Sequence, residues 1–121
     1  MSDDNQDCSV ILVNSSVGRV AENRSLGLTV YADRSEITNH VSFYADNVKI
    51  NATGCTFRTQ LINQLHSSNG QLLFTNCTFA GEESVFDTVF DAEIVVQEAS
   101  VATEVAKALE SSTLSLVNVR Y

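Results

Sequence analysis

Three groups of carboxylates carry the residue types that hold calcium or hydrolyse a glycosidic bond. They are Asp33 with Glu36, Glu82 with Glu83, and Asp87 with Asp91 and Glu93. Calcium takes several oxygen ligands, and general acid–base hydrolysis needs two carboxyls at a set separation across a groove. Asp87 and Asp91 are the best pair on offer for such a site. A solvated acidic surface accounts for the same residues more simply, because no acidic position recurs along the chain at a constant interval. His40 and His66 have no acidic or cysteine neighbours at ligand spacing and read as surface or turn residues. No CxxC or Cys/His spacing suggests zinc. There is no glycine-rich phosphate loop and no nucleophile motif. The expectation is a protein that is not an enzyme, with no cofactor and no metal.

Four Asn-x-Ser/Thr patterns, at Asn14, Asn23, Asn51 and Asn76, match the glycosylation acceptor. With no secretory signal in view, they read as the product of an Asn/Thr-rich turn composition. The net charge is −8, with two lysines and five arginines among 121 residues. Nucleic-acid backbones and anionic membranes are bound by clustered Lys and Arg. No such cluster exists, so neither is an expected partner. No uncharged apolar run approaches the length of a membrane-spanning helix. The opening MSDDNQD is acidic and polar, so the expected compartment is the cytoplasm.

What organises the chain is a repeat. Six stretches align: 8–17, 28–37, 48–57, 70–79, 92–101 and 112–121, beginning 20, 20, 22, 22 and 20 residues apart. A period that regular signals stacked coils. The third position is Val10, Val30, Ile50, Leu72, Ile94 and Leu114. The fifth is Leu12, Ala32, Ala52, Phe74, Val96 and Leu116. The tenth is Val17, Ile37, Phe57, Phe79, Val101 and Tyr121. All three stay apolar, and the two-residue step from third to fifth is the period of a strand. The eighth position, Ser15, Ser35, Cys55, Cys77, Ala99 and Val119, stays small, as a tight corner requires. Ahead of each strand stand Asp7, Gly27, Asn47, Asn69, Asp91 and Ser111, all turn formers. Cys55 and Cys77 share a column and read as buried free thiols, since in-register neighbours point the same way, a poor geometry for a bridge. Cys8 has no evident partner.

The expected architecture is all-β: a right-handed parallel β-helix of about six coils, 20–22 residues each. Residues 1–7 read as a short acidic tail and 8–121 as a single domain. The absence of proline suits a backbone paired above and below along most of its length. The alternative is a leucine-rich-repeat-like solenoid. Leu72-x-Phe74-x-x-Cys77-x-Phe79 fits part of that motif, and the return segments Phe57/Leu61/Leu65 and Val101/Val105/Leu109 show a helical spacing of four. Against it, the place three residues before the motif's first Leu is never apolar.

The first coil starts at Cys8 and the last column residue is Tyr121, so no capping element is expected at either end. Solenoids need polar caps, and open strand edges invite pairing. Cys8, Val10 and Leu12 at one end, with Leu114, Leu116 and Tyr121 at the other, are therefore the candidate self-association residues. Runs such as Val41–Ile50 (VSFYADNVKI) and Phe90–Val96 (FDAEIVV) have the strand–turn–strand texture of bactofilins, and over residues 8–121 the chain resembles that family. The resemblance implies nucleotide-independent polymerisation into non-polar filaments that act as bacterial cytoskeletal scaffolds. The Asn76–Phe79 run is equally similar to pectate-lyase-like β-helices. Neither resemblance carries over a functional residue.

Three readings follow. The leading one is a structural protein that assembles into a homo-oligomer or filament through its end coils. The second is a module that binds a protein or glycan along one flank, with outward Tyr31 and Tyr44 as contacts. The third is an enzyme acting on acidic polysaccharide, for which the basic residues form no column.

Overall fold

The computed structural model describes residues 5–6, 9–18, 24–39, 42–102 and 104–120. Cys8, Val20, His40, Val41 and Tyr121 lie outside the described residues, as do the side chains of Phe43, Tyr44 and Asn69. The described residues form an all-β, parallel solenoid with no helix.

Three files of strands make up its walls. The first holds β2 (Ser9–Val13), β5 (Thr29–Asp33), β8 (Lys49–Thr53), the later part of β10 (Ile62–Thr75), the later part of β12 (Phe86–Gln97) and β15 (Thr113–Val117). The second holds the two-residue strands β3 (Ser16–Val17), β6 (Glu36–Ile37), β9 (Thr56–Phe57), β11 (Thr78–Phe79) and β13 (Ser100–Val101). The third holds β1 (Asn5–Gln6), β4 (Arg24–Leu26), β7 (Ser42–Asp46), the early parts of β10 and β12, and β14 (Ala106–Glu110). β1, within the segment read as a tail, pairs with β4.

Like residues lie over like. Val10, Val30, Ile50, Leu72, Ile94 and Leu114 are partners in unbroken succession, and so are Leu12, Ala32, Ala52, Phe74, Val96 and Leu116. Val17, Ile37, Phe57, Phe79 and Val101 form the third interior column. In the middle coils these side chains are buried. At the centre, Phe57 and Phe79 stack at 5.0 Å, with Phe74 edge-on to both at 5.8 and 5.3 Å. Such geometry adds to simple area burial.

The return segments are strands, which removes the leucine-rich-repeat alternative. The spacing of four arose because Phe57, Leu61 and Leu65 straddle a bend. Phe57 ends β9, Leu61 sits in the corner, and Leu65 lies within β10 against Ala45 and Val89. A corner resets the in–out alternation, so a count across it imitates a helix.

Left-handed corners recur at two places in the repeat among the described residues. One is the predicted turn column, with Gly27, Asn47, Asp91 and Ser111 at φ 67°, 53°, 57° and 52°. The other was not anticipated: Asn14, Arg34, Gly54, Asn76, Glu98 and Asn118 all have φ between 49° and 63°. The corner amides of Asn14, Gly27, Arg34, Gly54, Asn76 and Glu98 still donate to the next coil, as Asn14 N–H does to the Asp33 carbonyl (2.9 Å) and Glu98 N–H to Val117 (2.9 Å), whereas Asn47 N–H donates to the Asp46 carboxylate (2.9 Å). Asparagine tolerates these angles, which explains the acceptor-like patterns at Asn14 and Asn76.

The small-residue column carries a repeated bond. Ser15, Ser35, Cys55 and Cys77 each donate from the side chain to the carbonyl two residues earlier, at 2.9, 3.0, 3.4 and 3.4 Å. The extra two residues of the longer coils fall at the break in register between His66 and Gly70 and in the loop between Phe79 and Phe86.

Candidate functional site

Two places stand out: the open terminal layers and the outer face of the first file. At the far end, Leu109 and Leu116 are 43% and 40% exposed, although Val89 and Val96, directly beneath them, are 0% exposed. Leu114 is half-buried above the fully buried Ile94. β14 and β15 pair only with β12 among the described residues, so one edge of each offers free donors and acceptors. At the near end Val10, Leu12 and Val17 are half-buried, and β2 and β3 likewise pair on one side. The candidates Val10, Leu12, Leu114 and Leu116 thus fall in the end layers, while Cys8 and Tyr121 lie outside the described residues. Leu109 was missed as an end residue, because only the pairing of β14 with β12 reveals its place.

The outer face of the first file presents two outward columns. Thr29, Lys49, Gln71 and Glu93 form one, and Tyr31, Asn51, Leu73 and Val95 the other. They line an open groove of about 490 Å³. Tyr31 is half exposed at one end. Of these residues the sequence singles out Tyr31 as a contact, Glu93 only as a member of an acidic group and Asn51 only in an acceptor-like pattern. The signal for the rest lay in the aligned repeat, at its second and fourth positions.

The sequence-named carboxylates assemble only in part: Glu82, Glu83 and Asp87 share a hollow, and the others lie apart from it. Asp33 pairs with Arg34 at 3.3 Å, and Glu36 accepts two hydrogen bonds from Arg58 at 2.9 and 3.1 Å. Asp87 borders a hollow of about 440 Å³ beside Glu82, Glu83, Glu104 and Lys107. Asp91 occupies a corner and borders a different hollow, with Glu93. The pair Asp87 and Asp91 therefore shares no cavity. Among the described residues no cluster of His, Cys, Asp or Glu has the arrangement to hold a metal.

Buried Gln60 bridges two neighbours under that first hollow, accepting from Asn63 (3.1 Å) and donating weakly to Ser84 (3.5 Å). His66 stacks on Phe90 at 4.7 Å, with Asp46 3.8 Å from its Nδ1.

Cys55 and Cys77 are buried free thiols in adjacent rungs. The neighbouring Cys77 sulfur holds Cys55 below the ordinary thiol range against the opposing effect of burial. The same contact and burial both push Cys77 up. The two titrate as a pair. Both are secluded from solvent and pack in the core.

No helix among the described residues is long and apolar enough to cross a membrane. The chain matches no known protein family, no curated protein and no solved structure.

Proposed function

We propose that the chain is a structural, self-associating β-solenoid whose end layers are covered by the end layers of neighbouring copies. One observation carries this reading: Leu109 and Leu116 are two-fifths exposed while their partners one rung below are fully buried. An exposed apolar layer beside an unpaired strand edge is a template for another strand layer. A second copy offers the same three-walled rung, with the same columns in the same register. Head-to-tail stacking sets Leu114 and Leu116 over Val10 and Leu12, continues the interior files and repeats without closing, which gives a filament. Stacking of like ends gives closed pairs or, with both ends used, a non-polar filament of the kind the bactofilin resemblance implies. A scaffold of that sort works in the cytoplasm, where the buried thiols Cys55 and Cys77 stay reduced.

Sedimentation velocity and negative-stain microscopy test the proposal. The expected result is oligomers or filaments that grow with concentration. Leu116→Lys, which puts a charge into the layer to be buried, shifts them to smaller species. A chain that stays monomeric by light scattering at every concentration and ionic strength overturns it.

A further inference from the structure

We infer that the groove on the first file is a binding site for an extended neutral glycan, with one sugar over each of four rungs. The groove lies on a sheet face, where the backbone groups are already spent on the rungs above and below. A peptide therefore cannot add to it as a strand, and recognition falls to side chains alone. Those side chains are of the kind that hold sugars. Tyr31 offers a half-exposed ring on which the apolar face of a pyranose stacks. Asn51 and Gln71 offer amides, each with donors and an acceptor for neighbouring hydroxyls. None of Tyr31, Asn51 and Gln71 makes a side-chain hydrogen bond within the described chain, so their polar groups face solvent uncommitted. Beyond Asn51 in the same column, Leu73 and Val95 add apolar surface.

Charge points to a neutral ligand. The chain as a whole carries −8, yet the groove holds one cation, Lys49, and one anion, Glu93, neither in an ion pair among the described residues. They stand on either side of Gln71 in one column, so their fields oppose each other along the groove. A polyanion gains from Lys49 and loses to Glu93 and to the net charge. Spacing supports the same class. Successive rungs are about 4.8 Å apart, and an extended, equatorially linked glycan advances by a similar step per sugar. A chain lying along the solenoid axis meets equivalent positions at Tyr31, Asn51, Leu73 and Val95.

Calorimetric titration with cello-oligosaccharides of two to six sugars, and with chitohexaose and xylohexaose, tests the inference. At least one series binds, and its affinity rises up to four sugars and then levels off. Tyr31→Ala weakens binding at least tenfold, while Tyr31→Phe keeps most of it. The double change Asn51→Ala with Gln71→Ala weakens it several-fold, with an unchanged far-ultraviolet spectrum. No binding by any of these chains, or binding indifferent to both Tyr31→Ala and the double change, overturns the inference. Tighter binding of hexagalacturonate than of the neutral chains overturns the neutral assignment. Assembly of the protein is a separate readout, which Leu116→Lys alters and Tyr31→Ala leaves intact.

Discussion

Ile94 and Leu114 are consecutive members of one column, on paired strands, with nearly the same side chain, yet one is fully buried and the other is not. The same holds for Val96 against Leu116 and Val89 against Leu109. Nothing in the local sequence separates the members of each pair. What differs is the number of neighbouring coils: two for the middle rungs, one for the last. In a solenoid, burial belongs to the stack rather than to the residue, and each rung is half of its neighbour's core. The exposed leucines of the last coil are thus not surface residues by design. They are core residues with half a core.

The largest test of that comparison is to delete the same atoms at both places. Ile94→Ala is expected to lower unfolding stability by about 2–5 kcal/mol, the usual cost of emptying a buried aliphatic site. Leu114→Ala is expected to cost roughly 1 kcal/mol in dilute solution, because its side chain has less apolar surface removed from water. Urea denaturation of both variants measures the difference. Equal costs at low protein concentration break the comparison, since they mean that the last layer is already covered. Costs that converge only as concentration rises sharpen it, because the cover is then a second copy.

Much of this was legible in the sequence, for a physical reason. Columns three, five and ten face a shared interior, so all copies are held to apolar residues and the repeat shows through. Other columns are held less tightly. Leu28, Val48, Gly70, Ala92 and Ser112 form a further file just ahead of the first-file strands, inward in the middle coils, but their sizes vary too much to mark it. The second left-handed corner was hidden by Arg34 and Glu98, which adopt its angles without being turn formers. The groove was hidden for a different reason. Outward positions are free to vary, and neither outward column, Thr29, Lys49, Gln71 and Glu93 or Tyr31, Asn51, Leu73 and Val95, keeps one chemical type. Only register places them side by side.

The corners supply a smaller test, and one with a different signature. Asn76 and Asn118 hold equivalent left-handed corners, at φ 54° and 52°, in a middle coil and in the last coil. The cost of placing alanine there is a local backbone cost of about 1 kcal/mol, independent of the coils above and below. Asn76→Ala and Asn118→Ala are therefore expected to be alike, where Ile94→Ala and Leu114→Ala are unlike. The exposed hydrogen bond from Asn118 to Glu98 (2.8 Å) adds little. A markedly smaller loss at Asn118 shows that the last coil frays on its own, and amide exchange in β14 and β15 then outpaces that in β8.

The smallest effect is expected in the small-residue column, where middle and near-end coils already use two chemistries for one job. Ser15 and Ser35 donate to the carbonyl two residues back, and Cys55 and Cys77 do the same through longer, weaker bonds. Cys55→Ser extends the serine series by one rung. It exchanges a polarizable buried sulfur for a hydroxyl whose partner, the Thr53 carbonyl, is already in place. Loss of sulfur packing and gain of a stronger hydrogen bond oppose each other, and the net change is expected to stay within about 1 kcal/mol. Cys77 has Ala99 above it rather than a further hydroxyl, and its sulfur also packs against Cys55, so the exchange loses sulfur contacts on that side. Cys77→Ser should therefore cost more than Cys55→Ser in the same urea titration. The reverse order would mean that the column's polarity is set by something other than its distance from the serine end.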